Sequence, residues 1–349
     1  MVALSLVSRV LLVVGLVAVP LYLAATSLSA LLVLAVLYVP PVALFGWMYL
    51  SATARPTSNV NWDMLFRVFC GGLCPGVLLA MVVESILTAT LFFLCIDSAD
   101  VFAQYERYGS SHPNATSTEI LSHLHIRHTL GFFIFVFCLA FVVAGLVEEY
   151  VKYWLVRGRC CVASGFCTPL TSPHIVDPFY TVLCFAAAGC GFATFENAGY
   201  AFTQATFDAQ LQTALLRGLL ATPLHVLCTS LTGMRVVAAE LRKAQSPPSA
   251  LEPASTCEAL RATIRCILPA VVLHGVYDFQ MFVCTALWPE STYASLLTGA
   301  LCLVLGAWYV YRLYSFINWD YQVLDYSDAA VHAMETGAEL QPPTPGHVL

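Results

Sequence analysis

Apolar runs of about twenty residues, the length that carries a helix across a bilayer, recur along nearly the whole chain. Eight are expected to span, over residues 4–24, 27–50, 68–96, 129–156, 179–203, 212–238, 263–288 and 294–316. The fold this predicts is an all-α polytopic membrane protein whose helices enclose any polar site. Composition agrees: of 349 residues 59% are hydrophobic and 10% charged, where a soluble domain carries about 25% charge. No length is left for a large soluble domain. The first run is followed by Ala25-Thr26-Ser27-Leu28-Ser29-Ala30, a small-residue stretch of the kind that follows a signal peptide. It is long for a signal core and only Arg9 lies near its start, so it is read as a span. Pro40-Pro41 removes two backbone donors and is expected to kink the second helix.

Basic residues set the expected orientation. Eight spans place Arg9, Arg55, Arg67, Lys152, Arg157, Arg159, Arg235, Arg242, Lys243, Arg261, Arg265 and Arg312 nearest one face, and only Arg107, Arg127 and Arg217 nearest the other. The positive-inside rule makes the first face cytosolic, with both termini. The sequon Asn114-Ala115-Thr116 falls in the 97–128 loop on the opposite side, where glycosylation occurs. The predicted setting is a multi-pass glycoprotein of an endomembrane or the plasma membrane. That loop also holds His112, His123, His125 and His128, read as part of an exposed polar helix. Three regions are expected: N-terminal spans and lumenal loop over 1–128, a core over 129–316, and a polar disordered tail over 317–349. Tyr321-Gln322-Val323-Leu324 in the tail has the form of a sorting signal, and Cys160, Cys161 and Cys167 are palmitoylation candidates. No basic stripe or aromatic platform points to nucleic acid as a partner.

Against this background, ionisable residues at membrane depth stand out, because each costs at least roughly 2.5–3.5 kcal/mol there and needs a polar surrounding. Glu148-Glu149-Tyr150-Val151-Lys152 puts Lys152 at i+4 and i+3 from the two carboxylates. One Glu is expected to pair with Lys152 while the other is free for acid–base work; the alternative is an interfacial salt bridge. Glu196-Asn197 follows the small-residue run Gly189-Cys190-Gly191, with Tyr200 on the Glu196 face. His225, Thr229 and Gly233 form one stripe, and Arg217 lies two turns earlier on a similar face. His274 and Asp278 share a face at i,i+4. Two imidazoles with carboxylates from other helices suit zinc or a metal-free Glu–His pair that activates water. Glu84, in the third run, has no assigned role.

These segments resemble the PrsW family of intramembrane proteases, within the wider group of CAAX prenyl proteases and the anterior-pharynx-defective subunit of gamma-secretase. The resemblance rests on four motifs in order: Glu148-Glu149-Tyr150-Val151-Lys152, Gly191-Phe192-Ala193-Thr194-Phe195-Glu196-Asn197, His225-Val226-Leu227-Cys228-Thr229 and His274-Gly275-Val276-Tyr277-Asp278. It covers about residues 140–290. It implies cleavage of a membrane-anchored protein near or within the bilayer. The expected roles are Glu149 or Glu148 as general base, Lys152 holding the other Glu, and His225 and His274 positioning water or binding zinc. Asp278 would orient His274, Glu196 would belong to the same polar site, and Asn197 would donate to the oxyanion. Two other readings remain: a non-catalytic membrane scaffold, whose polar clusters serve assembly, and a proton-coupled transporter.

Overall fold

A computed structural model describes residues 4–53, 60–113, 124, 129–157, 178–244, 256–287 and 292–317. Among these, eight helical segments are long and apolar enough to cross a membrane: span 1 (Leu6–Thr26), span 2 (Leu28–Thr53), span 3 (Trp62–Cys95), span 4 (Leu130–Arg157), span 5 (Pro178–Phe202), span 6 (Phe207–Arg242), span 7 (Cys257–Leu287) and span 8 (Tyr293–Phe316). The sequon at Asn114, His123, His125, His128, Arg55, Arg127, Arg159, the cysteines at 160, 161 and 167, and the 321–324 motif lie outside the described residues.

Contacts between helix ends fix the alternation of the spans. The Ser5 N–H and hydroxyl both donate to Asp63 Oδ1 at 2.9 Å. The Tyr180 hydroxyl donates to the Asn61 carbonyl at 3.3 Å, Arg157 pairs with Glu240 at 2.8 Å, and Thr263 bonds the Tyr153 hydroxyl at 3.3 Å. Val156, at the end of span 4, shares a core cluster with Leu65 and Phe179, so the starts of spans 1, 3, 5 and 7 share one end of the bundle with the ends of spans 4 and 6. At the opposite end Thr298, early in span 8, donates to Gln280, late in span 7. The short helix Ser98–Ser111 follows span 3 there.

Span 5 is the hub. In its most apolar window 89% of residues are buried, against 6% in span 1 and 11% in spans 3 and 8, which leave most of that surface to face lipid. Small side chains account for the difference, since they let backbones approach closely in a bilayer. A Cβ on Gly189 would sit 2.7 Å from the His225 carbonyl oxygen and clash with the Thr229 hydroxyl. That approach lays span 6 directly on span 5.

Among the departures from regular helix, those in spans 4 and 6 shape the interior. Span 4 is π-helical over Leu139–Glu148 and returns to α at Glu149, a local widening that is frequent at functional sites. Span 7 crosses it here: a Cβ on Gly145 would lie 3.1 Å from the Val271 carbonyl, and one on Gly275 would strike the Phe141 ring. Span 6 breaks between Leu219 and Ala221, because Pro223 has no N–H to donate to Leu219. Pro40 and Pro41, by contrast, lie inside one unbroken helix.

Candidate active site

Lys152 is fully buried, and all three of its N–H donors point at named partners. Its Nζ lies 3.0 Å from Glu148 Oε2, 2.9 Å from Glu149 Oε1 and 2.7 Å from His225 Nδ1. The sequence expectation of one paired and one free Glu is therefore not what the structure has: both carboxylates grip the same ammonium. They still differ in exposure. Glu148 lies in the wall of a cleft, whereas Glu149 does not line it and its side chain has no exposed surface.

An ammonium only donates, so His225 Nδ1 accepts from Lys152 and the ring proton sits on Nε2. That nitrogen lies 2.9 Å from Glu196 Oε2, which nevertheless has no aligned hydrogen bond. His274 is held from both sides. Its Nδ1 is 3.0 Å from Glu149 Oε1, and its Nε2 is 3.3 Å from Asp278 Oδ2 and 3.9 Å from Glu148 Oε2. The two imidazoles meet edge to face with centroids 4.9 Å apart. Glu148, Glu149, Lys152, Glu196, His225, His274 and Asp278 are thus one network built by spans 4, 5, 6 and 7.

Arg217 extends it. Sequence spacing puts this residue on a face similar to that of His225, and the two, on either side of the break in span 6, both reach Glu196 of span 5. Its Nη2 donates to Glu196 Oε1 at 2.7 Å and its Nε to Asn197 Oδ1 at 2.8 Å, while its guanidinium stacks 3.8 Å over the Tyr200 ring. Asn197 Nδ2 donates to Thr222 at 2.8 Å, so this amide is engaged at both ends and lies outside the cleft wall. Sequence reasoning gave Arg217 no role at the site. The signal was its isolation, since it is the one basic residue on the helix Phe207–Leu219.

The cleft measures about 1170 Å³. Its wall includes Glu84, Ser85 and Thr88 of span 3, Glu148 of span 4, Glu196 and Tyr200 of span 5, Arg217 and Asp278. Other lining residues, among them Phe102, Thr203, Ser295 and Leu296, place it in the half of the bundle that bears the Ser98–Ser111 helix. Lys152 and Glu149 lie beneath its floor.

Glu148, His225 and His274 each bring a ligand atom within 4.8 Å of the others, and a carboxylate with two imidazoles is a known ligand set of catalytic zinc. The arrangement does not fit an ion held by His225, however. A neutral imidazole has one nitrogen lone pair, and here Lys152 takes it at 2.7 Å. The same ammonium sits 3.0 Å from Glu148 Oε2, where it would repel a dication.

Neither a curated protein nor a solved structure matches the chain. A family model described as PrsW family intramembrane metalloprotease matches residues 60–310, a stretch that contains spans 3 to 7, the whole polar network and the cleft. An eight-span bundle carrying these carboxylates and imidazoles at its centre belongs to the PrsW family of intramembrane proteases.

Proposed function

We propose that the protein is an endopeptidase that hydrolyses a peptide bond of a membrane-anchored protein inside this cleft, with Glu148 as general base. The observation that carries the reading is the division of labour at Glu148. Its Oε2 faces Lys152, His225 and His274, which leaves Oε1 as the oxygen for a ligand in the cleft. A water there gives its proton to Oε1 while its oxygen attacks the scissile carbonyl. Glu148 then returns the proton to the leaving amine as the C–N bond breaks. Arg217 lines the cleft with Nη1 uncommitted and supplies a donor for the oxyanion, a role the geometry favours over Asn197.

The remaining groups position the base. Lys152 fixes Glu148, and Glu149 and Asp278 fix the two ends of His274. Glu196 holds Arg217 and faces His225. Every proton in these steps moves between water, Glu148 and the leaving amine. A cleft with Glu148 in its wall favours hydrolysis over the scaffold reading, because assembly alone needs closed polar contacts and no open volume. The substrate is thus a membrane-protein segment, and the excess of basic residues at the far end of the bundle supports cytosolic termini. The cut would then fall in the membrane half facing away from the cytosol.

The test is proteolysis by the full chain reconstituted in liposomes against a library of single-span substrates. Glu148→Gln should abolish cleavage, as loss of a general base costs about 10²–10⁴-fold. Glu149→Gln should reduce it while leaving a measurable residue. Full activity in Glu148→Gln would sink the assignment.

A further inference from the structure

Glu84 is the only charged residue on the Val77–Cys95 helix of span 3, and nothing in the hydrolytic reading uses it. A carboxyl in a membrane helix is costly and normally finds a partner. Half-buried Glu84 has no hydrogen bond or ion pair among the described residues, and its Oε1 is enclosed without one. The two cations within the network cannot serve it. Lys152 is committed to Glu148, Glu149 and His225, and Arg217 is paired with Glu196. Yet Glu84 lines the same cleft as Glu148, Glu196 and Asp278, with Ser85 and Thr88 beside it on span 3. Those four acids face a single lining cation, Arg217. The volume, about 1170 Å³, exceeds the usual small-molecule range of about 300–1,000 Å³ and suits a peptide segment.

We infer that Glu84 is a specificity-determining residue that receives a basic side chain, Lys or Arg, of the substrate segment lying in the cleft. The inference rests on the hydrolytic reading above and deepens it by naming a substrate class. A carboxyl that lines a membrane cleft without a partner is satisfied by an incoming polar group, and a basic side chain brings both a donor and a counter-charge. Such sites discriminate strongly, because the wrong ligand leaves the acceptor unpaired. Glu84 lines the cleft from span 3 and Arg217 from span 6, so the two are taken to read different parts of the segment.

The experiment uses the reconstituted full chain and pairs of single-span substrates differing at one position, Lys against Met, with that position scanned along the segment. At one position the wild type should cleave the Lys member at least about tenfold better in kcat/KM, equivalent to about 1.4 kcal/mol. Glu84→Gln should bring that ratio close to one. A second readout avoids activity: Glu84→Cys should form a disulfide with substrate carrying Cys at that same position, and with no position several turns away. If the wild type cleaves but shows no basic preference anywhere, the inference fails and the protease reading stands. A ratio unchanged in Glu84→Gln, including the case where both substrates slow equally, also overturns it. If no substrate is cut by the wild type, the hydrolytic reading itself has failed.

Discussion

Replacing Lys152 by Met should damage the fold more than any other single change at the site. Met keeps most of the side-chain volume but removes all three donors, at 3.0, 2.9 and 2.7 Å from Glu148, Glu149 and His225. It leaves two carboxylates whose side chains are 7% and 0% exposed without their counter-charge. Removing one partner of a buried ion pair costs about 3–5 kcal/mol. At roughly 2–4 °C per kcal/mol for a chain of a few hundred residues, melting should fall by about 10 °C. Unfolding can be followed in detergent with a thiol-reactive dye, since Cys184, Cys190 and Cys228 are buried and become reactive only on opening. Exposed Arg107 is the control; its Met variant should stay within about 0.5 kcal/mol of wild type. Adding Glu148→Gln and Glu149→Gln to Lys152→Met should restore most of the loss, because the unpaired charges are gone, while leaving the protein inactive. A Lys152→Met protein that melts within a degree or two of wild type would refute the buried network.

Three further outcomes follow from the same geometry. Gly189→Leu should lower stability by about 1–3 kcal/mol or more through overpacking and displace His225, read as early melting together with loss of proteolysis. Zinc should be absent at stoichiometric level from the purified wild type by atomic emission, and should appear in Lys152→Met, where His225 Nδ1 is released; stoichiometric zinc in the wild type would contradict the metal-free step. Asn114→Gln should abolish an endoglycosidase-sensitive mass shift in a glycosylating host, and its absence in the wild type would count against the proposed orientation.

Much of the bundle was legible because length and hydropathy decide it. Span 5 was expected at 179–203 and runs Pro178–Phe202. Boundaries slipped where polar residues extend a helix beyond its apolar part. Span 3 starts at Trp62 rather than 68, capped by Asn61, with Asp63 and Arg67 paired at i,i+4. Span 6 starts at Phe207 under a Thr206 cap. The polar clusters were legible as a group, since charge in lipid demands a shared interior. Their pairing was not. Whether Lys152 takes one Glu or two depends on the π-helical turn before Glu149 and on where His225 docks, neither of which is a periodic signal. Arg217 does lie on the His225 side, since both reach Glu196, but spacing gave no sign of the break at Leu220 or of the bond to Asn197. Glu84 gave no motif at all, and only the cleft explains its position.

The local pairing within span 4 bears on how the protein is made. Glu148, Glu149 and Lys152 sit within little more than one turn, so their ion pairs can form in a solitary helix. That helix also carries the most apolar window of the eight, with mean hydropathy 2.9. It can leave the translocon with its charges already matched. Span 5 is less apolar, at 1.5, and brings Glu196, whose counter-ion Arg217 arrives in the very next helix. Spans 5 and 6 are therefore best released together, as a hairpin. By the time span 6 has been synthesised every buried cation has its acid in hand, and span 7 adds His274 and Asp278 to a centre that is already neutralised. The order of the motifs along the chain is thus also an order of biogenesis in which no unmatched cation has to wait in lipid.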